Sequence, residues 1–231
     1  LPTIKDSLSD GLLKALDTKP KIEQKVETTN PEAYEFYLKA KYKYENRENL
    51  EDTEIARGLL YKAIELDDTL ILANNLLGWT YSEIGDYDKA MEIYALTLNK
   101  AEKLGDKRGM GYSLNNIGAI YYFKGDYENA LNYLTRALKI QKELGDKHGM
   151  GQSLNNIGLI YFFKGEHDKT LGYYIRSLKI REELGDKRGM GGSLGSIGNY
   201  YRGQGNFKKA VENLDKSLSI QKEIGLKEGD L

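Results

Sequence analysis

Two histidines and a repeated serine are the side chains of this sequence best suited to catalysis. His148 and His167 stand 19 positions apart, and neither belongs to an HxxxH pair of the kind that binds zinc. Ser113, Ser153 and Ser193 recur every 40 residues, but no base recurs beside them to activate a nucleophile. The 231 residues include no cysteine, which excludes thiolate chemistry and disulfides. We therefore expect no catalytic residue, no metal site and no cofactor.

Nucleotide binding and nucleic-acid binding are also disfavoured. Gly-Met-Gly recurs at Gly109, Gly149 and Gly189, but it lacks the further glycine and the preceding strand of a dinucleotide site. The 34 Lys and Arg residues balance 35 Asp and Glu, so no long-range field attracts nucleic acid or an anionic membrane. No apolar run approaches the roughly 20 residues that cross a bilayer. We expect neither nucleic acid nor membrane as a partner.

Asparagines that precede aromatic side chains offer another chemistry, the recognition of a peptide. A side-chain amide donates to and accepts from a peptide backbone, while an aromatic ring buries an apolar anchor. Asn115 is followed by Tyr122 and Phe123, and Asn155 by Phe162 at the same spacing. We interpret both asparagines as surface or capping residues. The aromatic rings leave two interpretations open, since they either bind a partner or pack between neighbouring helices.

A repeated phrase of 40 residues sets the positions of these side chains. It begins at Gly105 and recurs at Gly145 with 25 of 40 positions identical, and a third copy begins at Gly185. Self-similarity at such a period indicates stacked units that each contact only their neighbours. A fold of this kind offers a long surface for partners instead of an enclosed pocket for a reaction.

Each copy of the phrase predicts an antiparallel pair of helices. The apolar positions from Leu114 to Tyr121 have the spacing of one helical stripe, and those from Ala130 to Leu138 form a second. Between them, Gly125 can take the left-handed conformation that ends a helix, and Asp126 can cap the next one. The same pair of a glycine and a capping residue recurs at 85–86, 105–106, 145–146, 165–166, 185–186 and 205–206.

Glycine also recurs inside the predicted first helix of each unit, where it costs about 1 kcal/mol relative to alanine. A cost repeated at one position indicates that two helices approach too closely there for a side chain. The copy from Gly185 has further glycines in this helix, including Gly195, so we expect that helix to be the least stable. The repeated position is held by Gly78, Gly118, Gly158 and Gly198.

The motifs of one unit carry a family resemblance. They read Leu77-Gly78-x-x-Tyr81, Gly85-Asp86-Tyr87, Ala90 and Tyr94. This set resembles the tetratricopeptide repeat, whose basic unit of 34 residues is a helix pair. The longer period is similar to the long-helix variant in kinesin light chains, spindle adaptor proteins and bacterial peptide-sensing regulators. The resemblance implies an all-α, right-handed α-solenoid of about five units, from about Asn30 to the end of the sequence.

The resemblance also implies where a partner binds. In tetratricopeptide repeat proteins, a second stripe of each first helix lines a concave surface that contacts bound peptides. The carboxylate clamp of the family needs several basic residues there, and only Arg202 is basic, so we do not expect a clamp. The matching and flanking positions are Asn75, Trp79, Asn115, Asn116, Tyr122, Phe123, Asn155, Asn156, Leu159, Phe162, Phe163, Asn199 and Arg202.

We expect five units preceded by a short helix and a linker. The opening of the first unit is similar to repeat regions appended to bacterial nucleotide cyclases, and we expect its first helix to run from Pro31 through Tyr44, followed by a connection over 46–53. Solenoids usually need polar caps, so we expect the C-terminal end to contact a second copy or further sequence. The ranges are an amphipathic helix over 1–17, interpreted as the tail of a preceding domain, a linker over 18–30, a degenerate unit over 31–68, units over 69–104, 105–144, 145–184 and 185–224, and the start of a truncated or capping helix over 225–231.

These observations predict a non-catalytic scaffold that binds a protein or peptide segment in the concave groove. Two alternatives stay open. The chain is either a regulatory or oligomerisation region of a larger bacterial signalling enzyme of the nucleotide cyclase or kinase type, or a sensor of a signalling peptide. We expect a cytoplasmic location, with the periplasm as the alternative.

Overall fold

The computed structural model describes residues 30–225, which form ten α-helices and no strand. Consecutive helices pack as antiparallel pairs, and each pair stacks on the next, as the predicted α-solenoid requires. The expectations for residues 1–29 and 226–231 lie outside the described residues. The helices are α1 (Pro31–Glu45), α2 (Leu50–Leu66), α3 (Ile71–Glu83), α4 (Tyr87–Leu104), α5 (Lys107–Phe123), α6 (Tyr127–Leu144), α7 (Lys147–Phe163), α8 (His167–Leu184), α9 (Lys187–Gly203) and α10 (Phe207–Glu223).

The turns between helices follow the predicted pattern of a glycine and a cap. Gly105 takes the left-handed conformation with a φ of 68°, a backbone state that costs a glycine almost nothing. The next residue, Asp106, accepts a hydrogen bond from the Gly109 N–H at 2.8 Å. Asp126 likewise accepts from the Asn129 N–H at 3.1 Å. These caps fix the residue at which each helix begins.

One predicted cap does not form. Glu166 stands at the cap position of α8 but makes no side-chain hydrogen bond to the first turn. Its side chain is one methylene longer than that of aspartate, and its carboxylate instead forms an ion pair of 2.5 Å with Lys169. The first turn of α8 therefore lacks the side-chain acceptor that caps the second helices of the other units.

Replacing Glu166 by aspartate is expected to stabilise the array by about 0.5–1 kcal/mol, since a side-chain cap of this type is typically worth about 1 kcal/mol. Urea unfolding measures the gain, and Asp126→Glu is the matched control that should lose a similar amount. Equal stabilities of the wild type and both variants would show that the cap geometry is irrelevant here.

The glycine inside α3, α5, α7 and α9 lies where the second helix of the same unit crosses, as predicted. A Cβ placed on Gly118 would lie 2.7 Å from Leu134 Cγ and 3.2 Å from the carbonyl oxygen of Ala130. A Cβ on Gly158 would lie 2.7 Å from Tyr174 Cδ1. The backbones of the two helices therefore approach to a distance that excludes a methyl group.

The first unit differs from its expected connection. The segment 46–53 was expected to be a loop, but α2 already begins at Leu50. Asn49 accepts from the Asp52 N–H at 3.0 Å, and Asp52 accepts from the Glu48 N–H at 2.8 Å. Because the bond to Asn49 caps the first turn of the helix, α2 begins inside the expected connection and leaves a short turn over 46–49.

The apolar core continues from unit to unit. The second helix of each inner unit presents one apolar stripe to the first helix of the following unit. In α4, for example, Tyr87, Met91 and Leu98 pack with Ile117 and Ile120 of α5. Equivalent stripes of α6 and α8 pack under α7 and α9. Within residues 30–225, no helix is long and apolar enough to cross a membrane.

Candidate partner-binding groove

The first helices of the units together line one open groove of about 1480 Å³. Side chains of α1, α3, α5 and α7 form most of its surface, so it runs across four units, and residues 46–50 line one end. Sites for drug-sized ligands usually occupy about 300–1,000 Å³. The dimensions of this groove therefore suit a polypeptide segment better than a small molecule.

The groove includes eight of the residues selected from the sequence. It also includes Tyr37 and Lys41 of α1, which the sequence analysis missed because the first unit is degenerate; their spacing of four residues repeats that of Asn75 and Trp79. The selected residues that line the groove are Asn75, Trp79, Asn115, Asn116, Tyr122, Phe123, Asn156 and Leu159, whereas Asn155, Phe162, Phe163, Asn199 and Arg202 are not part of its lining.

A serine of the following unit holds each of the first two groove asparagines. The Ser113 hydroxyl donates to Asn75 Oδ1 at 3.3 Å, and the Ser153 hydroxyl donates to Asn115 Oδ1 at 3.0 Å. Asn156 Nδ2 also donates to Asn115 Oδ1, at 3.3 Å. The repeated serine, which has no catalytic base, thus has a structural role between units.

Asn115 departs from its interpretation as a surface residue. Only 6% of it is exposed, because Ser153 and Asn156 draw its oxygen into the junction between two units. Its Nδ2 makes no hydrogen bond within residues 30–225, and this atom is not enclosed by the protein. Asn115 therefore forms part of the groove floor, with its oxygen engaged and its amide donor available.

The third junction lacks this bond. The Ser177 hydroxyl donates its one hydrogen to the Gly151 carbonyl at 2.7 Å. Its oxygen therefore accepts a hydrogen bond from the Ser193 hydroxyl at 3.0 Å. Asn155 Oδ1 is consequently buried without a hydrogen-bond partner. In the preceding unit the position of Ser177 is held by Ala137. Alanine has no hydroxyl, so the Ser153 hydroxyl is left to donate to Asn115. The second donor is also lost, since the position of Asn156 is held in the next unit by Ser196, which donates to the Gly192 carbonyl at 3.1 Å.

The aromatic side chains pack between units and also remain accessible. Phe123 stacks on Tyr87 with ring centroids 5.2 Å apart and planes inclined by 4°. Tyr122 contacts Phe123 at 5.1 Å and Phe163 of the next unit at 5.5 Å. Phe123 and Phe163 are each still 51% exposed. The packing interpretation therefore holds for these rings, and because they are still half-exposed, partner binding stays a prediction.

Most polar groups of the groove are neutral or paired, while Glu48 and Arg188 line it without an ion pair within residues 30–225. Burial, followed by the nearby carboxylate of Asp146, raises the pKa of Tyr112 to about 12, so this groove phenol keeps its proton at neutral pH. At one end of the groove, Arg47 pairs with Glu83 at 2.9 Å. No cluster of metal-binding side chains occurs among residues 30–225. The groove offers hydrogen bonds and aromatic surface without a concentrated charge.

Charged side chains form an exposed edge away from the groove floor. Lys147 pairs with Glu183 at 2.7 Å, and Lys107 lies 3.8 Å from Glu143 at the equivalent position. Each pair joins the start of a first helix to the end of the second helix of the same unit. These exposed pairs form a solvated charged surface, where ion pairs contribute little to stability.

This architecture of stacked helix pairs around a concave surface defines a class of scaffold proteins. The family model of the tetratricopeptide repeat matches residues 68–143, 109–180 and 149–223. The chain therefore belongs to the tetratricopeptide repeat family, whose members are typically non-catalytic and bind other proteins. A search of curated proteins found no significant match.

Several solved structures share the fold. BtubC from P. vanneervenii has a TM-score of 0.62 and 23% identity, over 86% of this chain and 83% of that protein. A signal transduction ATPase with a tetratricopeptide repeat sensor from Pyrococcus horikoshii has a TM-score of 0.67 and 23% identity, over 84% of this chain and 30% of that protein. Aspartyl phosphate phosphatase F from Bacillus subtilis has a TM-score of 0.61 and 18% identity, over 86% and 62%. At such identities the likeness shows the fold alone.

Proposed function

We propose that this chain is a non-catalytic scaffold that binds an extended segment of a partner protein along the groove. The observation that carries the proposal is the groove floor at Asn115. The Ser153 hydroxyl occupies its oxygen, which orients the amide so that its N–H groups can donate to a backbone carbonyl of a bound segment. Trp79, 44% exposed, and the half-exposed Phe123 supply apolar contacts beside it.

The position of Ala119 allows the proposal to be tested by blocking the groove. Peptides are first selected from a random phage-displayed library on the wild-type chain. Ala119 lies half-buried in the groove lining, so Ala119→Arg is expected to weaken binding of the selected peptides by more than tenfold, or about 1.4 kcal/mol. Fluorescence anisotropy of the labelled peptides measures the change.

A matched substitution on another surface controls for general damage. Leu96 is 52% exposed and lies outside the groove lining, so Leu96→Arg introduces the same side chain without blocking the groove. Selected peptides should bind Leu96→Arg as tightly as the wild type. Peptides that tolerate Ala119→Arg but lose affinity for Leu96→Arg would place the binding surface elsewhere.

A role in oligomerisation is a second proposal. It is supported by α10, where Phe207 is 67% and Val211 56% exposed on one side of the helix. Such an apolar end would allow two copies to associate while leaving the groove accessible. A cytoplasmic location remains a prediction.

A further inference from the structure

Arg181 of α8 reaches the groove between two first helices. A Cβ placed on Gly151 of α7 would lie 3.2 Å from Arg181 Nε, and one placed on Gly192 of α9 would lie 3.5 Å from Arg181 Nη1. The side chain therefore crosses the junction between α7 and α9, and Arg181 is part of the groove lining. It was missed from the sequence because the candidate positions were all taken from first helices.

The same position is neutral and fully buried in the two preceding units. It is held by Ala101 in α4 and by Gln141 in α6, which are 0% and 1% exposed and do not line the groove. Arg181, in contrast, is half-buried. The guanidinium is therefore a feature of one unit, and the packing of the repeat does not require it.

The Arg181 guanidinium is held in place without being neutralised. Its Nη1 donates to the Gly189 carbonyl at 2.5 Å, whereas Nε and Nη2 make no hydrogen bond within residues 30–225 and are not enclosed by the protein. The nearby carboxylate of Asp186 accepts from the Gly189 N–H at 2.9 Å and forms no ion pair with Arg181. Burial lowers the pKa of Arg181, but a guanidinium stays charged at neutral pH. A partly desolvated cation thus has two donor atoms available.

Two glycines of α9 leave space in front of this cation. Tyr112 and Gln152 line the groove from the preceding first helices, and the equivalent residue of α9 is Gly192. A Cβ at Gly192 would make only an ordinary contact with Arg181, and the nearest contact of a Cβ at Gly195 would be 3.7 Å. Packing therefore does not require a glycine at either position, and the missing side chains leave the guanidinium accessible.

We infer that Arg181 binds a carboxylate side chain, of aspartate or glutamate, in the segment that occupies the groove. Two guanidinium nitrogens can donate parallel, charge-assisted hydrogen bonds to one carboxylate. Arg188, four residues before Gly192, also lines the groove without an ion pair within residues 30–225, and its charge favours an anion at the same end. The inference rests on the proposed function, since the carboxylate belongs to the bound segment.

This subsite differs from the carboxylate clamp, which uses basic residues of first helices, because Arg181 belongs to a second helix. The groove also has opposite charges at its two ends. Glu48 lines the end beside α1 without an ion pair within residues 30–225, whereas Arg181 and Arg188 line the end beside α7 and α9. A bound segment is therefore oriented with its acidic residue towards α9.

Parallel peptide selections test the inference. A random displayed library is selected on the wild-type chain and on Arg181→Gln, which introduces the side chain that α6 carries at the same position. Peptides selected on the wild type are expected to share an aspartate or glutamate that peptides selected on Arg181→Gln lack. An equal acidic content in both sets would overturn the inference.

A change in the peptide separates recognition of the charge from damage to the fold. Synthetic peptides are amidated at the C-terminus, so that only a side chain can supply the carboxylate. Replacing the shared acidic residue by its amide should weaken binding to the wild type at least tenfold, whereas Arg181→Gln should bind both peptides equally. A structural defect in the variant would weaken both peptides alike, and an unchanged ratio between them would count against the inference.

Gly192→Gln tests the space in front of the guanidinium. The acidic peptide should bind this variant at least tenfold more weakly, while the stability of the chain is not reduced, because glutamine favours a helix more than glycine does and Gln152 occupies the equivalent position of α7. Binding as tight as that of the wild type would contradict a carboxylate at this place.

Ala119→Arg distinguishes failure of this inference from failure of the proposed function. Peptides that lose affinity for Ala119→Arg but bind the wild type and Arg181→Gln equally would leave groove binding in place and overturn only the role of Arg181. Peptides that tolerate both substitutions, or a selection that yields no binder, would overturn both.

Discussion

Replacement of Gly118 by alanine is expected to destabilise the array by up to about 2 kcal/mol. A new Cβ would lie 2.7 Å from Leu134 Cγ and 3.2 Å from the Ala130 carbonyl oxygen. Overpacking of this kind costs about 1–3 kcal/mol, while alanine gains about 1 kcal/mol over glycine in helix propensity. The clash outweighs the propensity because a backbone carbonyl cannot rotate away. Urea unfolding followed by circular dichroism measures the loss.

Gly195→Ala supplies the matched control. A Cβ at Gly195 would meet only Ser217 Oγ, at 3.7 Å, which is an ordinary contact. No clash then offsets the gain in helix propensity, and the variant should be about 1 kcal/mol more stable than the wild type. If the two substitutions shifted stability in the same direction and by the same amount, close approach at Gly118 would not explain the recurring glycine.

Asn115→Ala is expected to destabilise the chain by about 1–3 kcal/mol. The substitution leaves the buried Ser153 hydroxyl and the Asn156 amide without their shared acceptor, and an unsatisfied buried polar group costs about that much. The loss is measured by urea unfolding. The stability readout separates this structural role of Asn115 from any contribution to peptide affinity.

Asn116→Ala is the control for that substitution, since Asn116 is half-buried and has no hydrogen bond within residues 30–225. It should change stability by less than about 0.5 kcal/mol. A double-mutant cycle of Asn115→Ala with Ser153→Ala should show coupling of about 1 kcal/mol. Strictly additive effects would mean that the hydrogen bond between units contributes nothing.

Most of the fold was predictable because local chemistry repeats along the sequence. The turn at Gly125 and Asp126 needs only a left-handed glycine and a short acceptor, and both are visible in the residue types. The recurrence of glycine at 118 predicted a close approach without naming its partner, Leu134. The start of α2 was missed, since the capping of Asp52 by Asn49 belongs to a unit that departs from the repeat.

Less of the groove was predictable, because its details depend on contacts between units. Asn115 and Asn155 occupy identical positions in the repeated phrase, yet only Asn115 receives a hydroxyl from the next unit. The difference arises at Ser177 of the adjacent helix, which engages Ser193, and at Ser196, which stands where the preceding unit has the donor Asn156. The groove residues of α1 were missed for a simpler reason, since the degenerate unit has no asparagine to mark the position.

The variable positions of the groove are where partner selection is expected to reside. Side chains at the repeated positions have structural roles: they cap helices, allow close helix contacts or accept the hydrogen bonds from Ser113 and Ser153. Trp79, Ala119 and Leu159 occupy one position in successive units, and all three line the groove. A bound segment is therefore expected to meet the repeated amides of Asn75 and Asn115 beside a changing series of apolar side chains.

The fluorescence of Trp79 tests the central claim, that a peptide segment occupies this groove. Trp79 is the only tryptophan of the chain and is 44% exposed, so its emission reports on the groove alone. Titration with a selected, tryptophan-free peptide is expected to give a saturable blue shift in the wild type and in Leu96→Arg, but none in Ala119→Arg. Binding detected by anisotropy without any change in Trp79 emission, or an unaltered shift in Ala119→Arg, would contradict the proposed site.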